Sequence, residues 1–354
     1  MKLKQFNFET LNHTNYPEKE FLKRELGITL KKGLNRNRVS EKNFLYVASN
    51  NIRELEDIFK SAESRQIVLL WLGNETYDLN LYRFFQEYKE KIKHLFLCYY
   101  PARPTFLNLF KLYIGAMFDK SFFYRWGKVH GFRVAKNGID LINRTKIMSK
   151  HKNVTALPLG YTNVFVKQIK YFSPMLSSKE SVLEFAKNLV STKKSIEISF
   201  FGKEGEWGRH LALNILLKAD LNKLIKIKTY GWGGDKFQGT EYFESIFNSR
   251  FVLAAPGHIS NQSFRYLESL ILGALPLTPP STLQDPHIGN FWTSNNKKIK
   301  FYSWTYLINN QTKISETERL KLIEGAILKV KNEIKSVNLM LKSFELDDSN
   351  RRFE

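Results

Sequence analysis

The chain has 354 residues, 43% of them hydrophobic, which is enough for two domains that each bury a core. Its single cysteine, Cys98, excludes an internal disulfide framework and a cysteine-rich zinc site. A formal net charge of +21 points to polyanionic partners such as nucleic acid, anionic lipid headgroups or phosphate-bearing carbohydrate, or else to a surface of solvated lysines.

The N-terminal stretch MKLKQFNFETLNHTNYPEKE is polar, so no signal peptide is expected. FLNLFKLYIGAMF is too short to span a bilayer and carries Lys111. A cytoplasmic location follows as an expectation, peripheral at the inner membrane face if the basic surface meets lipid. The charge is uneven: residues 1–170 hold 30 Lys+Arg against 15 Asp+Glu. Residues 103–152 hold eleven basic against two acidic side chains, interleaved with Phe, Tyr and Trp.

Alternation of strands and helices is predicted from about residue 43. FLYVAS is strand-like and NIRELEDIFKSA is an amphipathic helix with Ile52, Leu55 and Ile58–Phe59 on one side. QIVLLWLG is a continuous apolar run, as a buried parallel strand would be. LYRFFQEYKEK predicts a helix. HLFLCYY is a strand in which Cys98 is a buried, inert thiol, and Pro101 and Pro104 end it. VTALPLG closes the first half, and a polar stretch runs from Lys167 to Lys194 with a helix-like SKESVLEFAKNLV inside it.

The alternation then restarts. SIEISFFG, IKIKTYGW, RFVLAA and LPLTPP are strand-like; RHLALNILLKA, TEYFESIFNS and QSFRYLESLILG are helix-like. ETERLKLIEGAILKVKNEIKSVNLMLKSF makes one or two amphipathic helices. The fold class is therefore α/β, with two Rossmann-like domains. The expected division is 1–170, a linker at 171–194, a second domain at 195–310 and terminal helices at 311–354. Ligands of such sheets lie off the carboxyl ends of the strands, so the loops there carry the chemistry.

Three strand ends stand out. In FFGKEGEWGR, Gly202 ends a strand and Lys203 and Arg209 flank a helix start, an arrangement suited to an anion or to a plain glycine turn. In TYGWGGDKF the glycines after Tyr230 permit close backbone approach, and Trp232 could stack on a base or sugar. In AAPGHISNQSFRYLESLILGALPLTPP, Pro256–Gly257 turns the backbone and His258 follows in the loop. Ser263 opens a helix, where its hydroxyl caps or meets a phosphate. Phe264, Leu267, Leu270 and Ile271 recur at helical spacing as the buried face. Arg265 and Glu268 stand three apart on another face. They fit a diphosphate and a pair of ribose hydroxyls, or a surface ion pair worth a few tenths of a kcal/mol.

Residues 196–280 resemble the nucleotide-sugar domain of GT-B glycosyltransferases, most closely the exostosin-like group. The resemblance rests on the apolar strand Phe251–Ala255, then Pro256 and Gly257, then Ser263, Arg265 and Glu268, then Gly273 and Pro276–Leu277, with FFGK and Arg209 upstream. Ser269 and Leu277 stand where the group often has Ala and Val or Ile. The N-terminal half offers only ALPLGY, which is similar to the strand end before that group's interdomain linker.

The resemblance implies two domains facing each other across a cleft and a nucleotide-sugar donor substrate without a separate cofactor or bound metal. Glu268 would hold the donor ribose, and Ser263, Arg265 and Arg209 the diphosphate. From the strand ends read above, Gly202, Lys203, Tyr230 and Gly257 are expected to complete the donor site, and His258 either donates to a phosphate or the sugar or is a solvent-facing loop histidine. An inverting transfer also needs a general base from the first domain. WLGNETYD offers Glu75 and Asp78, either of which could instead cap the next helix. The expected acceptor is a polysaccharide or lipid-linked glycan, with 103–152 touching the acceptor or an anionic membrane. The alternatives are a DNA-modifying glycosyltransferase and a nucleic-acid-binding protein without catalysis.

Overall fold

The structure, a computed structural model, describes residues 5–10, 16–33, 44–61, 66–72, 79–98, 152–158, 160–172, 181–186, 193–203, 209–228, 240–254, 264–277, 308 and 313–350. These residues form an α/β protein with two parallel sheets, of six and four strands, each Rossmann-like in build. Each sheet belongs to a compact unit. The first takes the described residues of Met1–Tyr100, Asn143–Asn163 and Lys331–Glu354, and the second those of Val164–Val330.

The first unit contains β1 (Phe6–Thr10), β2 (Ile28–Lys32), β3 (Phe44–Ser49), β4 (Gln66–Trp71), β5 (Ile92–Leu97) and β6 (Val154–Ala156), in the order β2-β1-β3-β4-β5-β6. Every pair is parallel. Its shorter helices are α1 (Lys19–Glu25), α2 (Ile52–Ser61) and α3 (Leu79–Glu87). β3 and β4 are almost continuously buried because both sheet faces are covered. On one face Leu45, Val47, Ile67, Leu69 and Leu95 join a cluster with Leu55 and Phe59 of α2 and Phe84 and Phe85 of α3. On the other, Phe44, His94 and Phe96 meet the ring of Phe344. Cys98 is buried, as expected, and burial pushes its thiol well up.

β1, α1 and β2 precede the point where alternation was predicted. β1 is short, and it buries Phe6, Phe8 and Thr10 while Asn7 is exposed and Glu9 half-buried, so it lacks the apolar run that marks β3 and β4. β2 ends on exposed Lys31 and Lys32. The segment after β6 is tied to this N-terminal part. The Gly160 N–H donates to Glu18 Oε2 at 3.1 Å, and the Tyr161 hydroxyl donates to Glu25 Oε1 at 2.8 Å. Tyr161 stands edge-on to Phe21, with ring centroids 5.3 Å apart.

The second unit contains β7 (Ile196–Lys203), β8 (Lys223–Lys228), β9 (Ser249–Leu253) and β10 (Leu275–Leu277), all parallel, in the order β10-β9-β7-β8. Its helices are α4 (Asn163–Phe172), α5 (Val182–Phe185), α6 (Arg209–Lys218), α7 (Thr240–Phe247) and α8 (Phe264–Ile271). α4 occupies the start of the stretch read as polar; Phe165, Val166 and Ile169 are its buried face. The C-terminal sequence forms one helix, α9 (Glu316–Asn350), with residues up to Val330 in the second unit and from Lys331 in the first. No helix among the described residues is long and apolar enough to cross a membrane.

Two tests of the first unit follow. A Cβ at Gly160 would overlap the Phe21 ring. Gly160→Ala should therefore cost about 1–3 kcal/mol in urea unfolding, as overpacking does; an unchanged midpoint would show that Phe21 moves freely. The second test concerns His94, which is buried with Nε2 2.8 Å from Thr155 Oγ1. Burial lowers its imidazole to about 4, against 6.5 for the free group. The unfolded chain then binds the extra proton first as pH falls. Stability is retained above about pH 6.5 and declines towards pH 4, by about 3 kcal/mol in all. His94→Gln should flatten that part of the stability–pH curve, which urea titrations at stepped pH would record.

Candidate functional site

In a doubly wound sheet the ligand crevice opens where successive connections leave in opposite directions. In the second sheet that point lies between β7 and β9. The chain goes from β7 out to β8 on one side and comes back to β9 on the other. The two strands are in register at Ile198↔Phe251 and Ser199↔Val252, and β7 continues to Lys203. The carboxyl end of β7, Phe200–Phe201–Gly202–Lys203, therefore stands at the crevice.

α8 supplies the side chains that meet it. The helix ends on Gly273, whose φ of 71° is the left-handed turn that closes a helix C-terminus. The Gly273 N–H donates to the Leu270 carbonyl at 3.1 Å and the Ala274 N–H to that of Ser269 at 2.9 Å. This turn sends the chain directly into β10. Leu267, Leu270 and Ile271 are buried as expected, but so are Tyr266, Glu268 and Ser269, while Phe264 is only half-buried. From Tyr266 onward α8 has no solvent face.

This corrects the surface-pair alternative for Arg265 and Glu268. Glu268 is 2% exposed and accepts a hydrogen bond from the Tyr242 hydroxyl at 2.6 Å. Arg265 reaches the strand end. A Cβ at Gly202 would lie 2.5 Å from Arg265 Nη2, so the guanidinium occupies the space that glycine leaves. The same guanidinium lies 5.8 Å from the centroid of the Phe200 ring. Phe200 and Gly202 share one face of β7 by the strand period of two. Phe201 points to the other face, where Tyr242 stands edge-on to it with centroids 5.8 Å apart. One turn of α8 thus straddles the edge of the sheet, arginine on one side and carboxylate on the other.

The electrostatics fix the direction of the Tyr242–Glu268 bond. Burial and the neighbouring Glu268 push the Tyr242 phenol well above its usual range, and Arg265 opposes this only in part. The phenol therefore keeps its proton and donates it. A cation over a glycine strand end beside an oriented carboxylate can take an anionic group at the first and a hydroxyl at the second.

Of the residues read from sequence, the fold brings together Gly202, Arg265 and Glu268. Lys203 closes β7 and Arg209 opens α6. Tyr230, Gly257, His258, Ser263, Glu75 and Asp78 lie outside the described residues, as do all of the basic region 103–152 but Lys152. Sequence reasoning missed Tyr242 and Phe200. Tyr242 precedes Phe243 in TEYFESIFNS, where Phe243 and Ile246 define the buried face. A hydroxyl-bearing aromatic beside that face, near the carboxyl edge of a sheet, was the available signal. No protein-family model matches the chain, and no curated protein matches it.

Burial of Glu268 gives it a structural share that a surface partner would lack. Glu268→Ala removes the acceptor of a half-buried phenol and leaves a void. The expected loss is about 1–3 kcal/mol in chemical denaturation; a loss within a few tenths would place the side chain in water.

Proposed function

We propose that the second unit binds a nucleotide sugar and that the protein is a glycosyltransferase of GT-B, exostosin-like type. In this reading it transfers the sugar to a polysaccharide or lipid-linked glycan. The observation that carries the proposal is the Arg265 guanidinium seated on Gly202 at the β7/β9 switch point, one helical turn from Glu268. The resemblance of residues 196–280 to that group supports it.

In this reading Arg265 meets the diphosphate. Its charge, with the N-terminus of α8, stabilises the negative charge that builds on the leaving group as the glycosidic bond to the diphosphate breaks. Gly202 is required because any side chain would displace the guanidinium. Glu268 accepts from the ribose, which resolves why a carboxylate stands beside an anion site: it reaches the sugar of the nucleotide past the phosphates. Lys203, Arg209 and Ser263 are proposed to add to the diphosphate contacts, and Tyr230, Gly257 and His258 to line the same site. Glu75 and Asp78 remain the proposed bases for an acceptor hydroxyl. The charge of +21 favours one further acceptor, a DNA base, and salt-dependent DNA binding would mark that case.

The test is a screen of UDP, GDP, ADP and CDP for thermal stabilisation, which a bound nucleotide produces by mass action. Arg265→Ala should then weaken the nucleotide that binds by about 10- to 150-fold, the worth of a charge-assisted contact of about 1.5–3 kcal/mol, measured by calorimetry. An unchanged affinity would remove the diphosphate from Arg265.

A further inference from the structure

Tyr242 was not among the residues the sequence singled out, yet its hydroxyl makes a short polar contact, 2.6 Å to Glu268 Oε2. It comes from α7, a different helix from the one that carries Glu268 and Arg265. Its ring is held edge-on by Phe201 at the end of β7. The neighbouring Phe243 packs against Phe165, with ring centroids 5.9 Å apart, so the helix turn that carries Tyr242 is itself anchored.

A glutamate has three rotatable side-chain bonds. A carboxylate that must meet a small hydroxyl gains from being fixed before the ligand arrives. The phenol supplies that fixation from the side of the sheet edge opposite Arg265.

We propose that Tyr242 is a positioning residue for ribose recognition: its hydroxyl orients the Glu268 carboxylate towards the ribose hydroxyls of a bound nucleoside diphosphate. This rests on the nucleotide-sugar reading of the site. Tyr242 acts through Glu268, so removing its hydroxyl should impair discrimination of the ribose while leaving the diphosphate contact of Arg265 in place.

The experiment compares each of UDP, GDP, ADP and CDP with its 2′,3′-dideoxy analogue, by calorimetry on the full chain. The proteins are wild type, Tyr242→Phe, Glu268→Gln and the double variant. Wild type should prefer the ribose form of whichever nucleotide binds. In Tyr242→Phe that preference should shrink about three- to tenfold, the worth of one hydrogen bond, with the dideoxy form binding within about twofold of wild type. The double variant should discriminate no less than Glu268→Gln alone. A merely structural role would lower both forms equally and leave the preference unchanged, which overturns the proposal while the site reading stands. A full preference retained in Tyr242→Phe does the same. Wild type binding no nucleoside diphosphate, or binding both forms alike, overturns the ribose role of Glu268 itself, and Tyr242's role with it.

Discussion

The parallel pairing of β7 with β9 is the constraint on which the second unit depends. Because β8 lies on one side of β7 and β9 on the other, the loops after β7 and β9 part at the carboxyl edge. Everything the site uses converges there: the glycine that ends β7, the first turn of α8 and the first turn of α7. The side chains of Phe200 and Phe201, on opposite faces of one strand, give Arg265 and Tyr242 separate surfaces to rest on. A different strand order would move α8 away from Gly202 and separate the arginine from the glycine that makes room for it.

The opposite ends of the same helices are held by cations. Lys194 donates to the carbonyls of Phe247 and Leu272, at the C-termini of α7 and α8. Arg319, fully buried, donates to the Gly273 carbonyl and pairs with Glu316. Positive charge at helix C-termini complements the negative end of the dipole and satisfies carbonyls that the helix itself leaves open. Burial and the nearby Arg319 lower the Lys194 amine to about 7, and Glu316 acts against them. The two helices are thus pinned at their C-termini, with their N-termini directed to the crevice.

The interior strands were legible because both of their faces are covered, which turns FLYVAS, QIVLLW and RFVLAA into apolar runs that hardly any other element would show. The strand that opens the first sheet was not. β1 is only partly covered, so its Asn7 and Glu9 break the run, and a seven-residue helix between β1 and β2 is too short to display a period. Gly202, Arg265 and Glu268 were legible as candidates because they sit at strand and helix ends. Their arrangement was not. Arg265 and Glu268, at i and i+3, look like an ion pair in one dimension. Only the packing of α7 beside α8 reveals that a phenol twenty-six residues upstream bonds to Glu268. The burial of α8 was also hidden, since a helix covered all round shows no polar face by which its orientation can be read.

That burial bears on why the pair is there at all. A carboxylate taken out of water loses much of its hydration, which the groups bonded to Glu268, the Tyr242 phenol among them, have to offset. Replacing a buried polar pair by apolar side chains of similar volume is often neutral or stabilising. Tyr242 and Glu268 are therefore not the choice that stability alone requires, and they stand where the first turns of α7 and α8 meet the end of β7. A polar pair buried at the carboxyl edge of a parallel sheet is what the proposed ribose contact would use, and the proposal gives it a reason beyond packing.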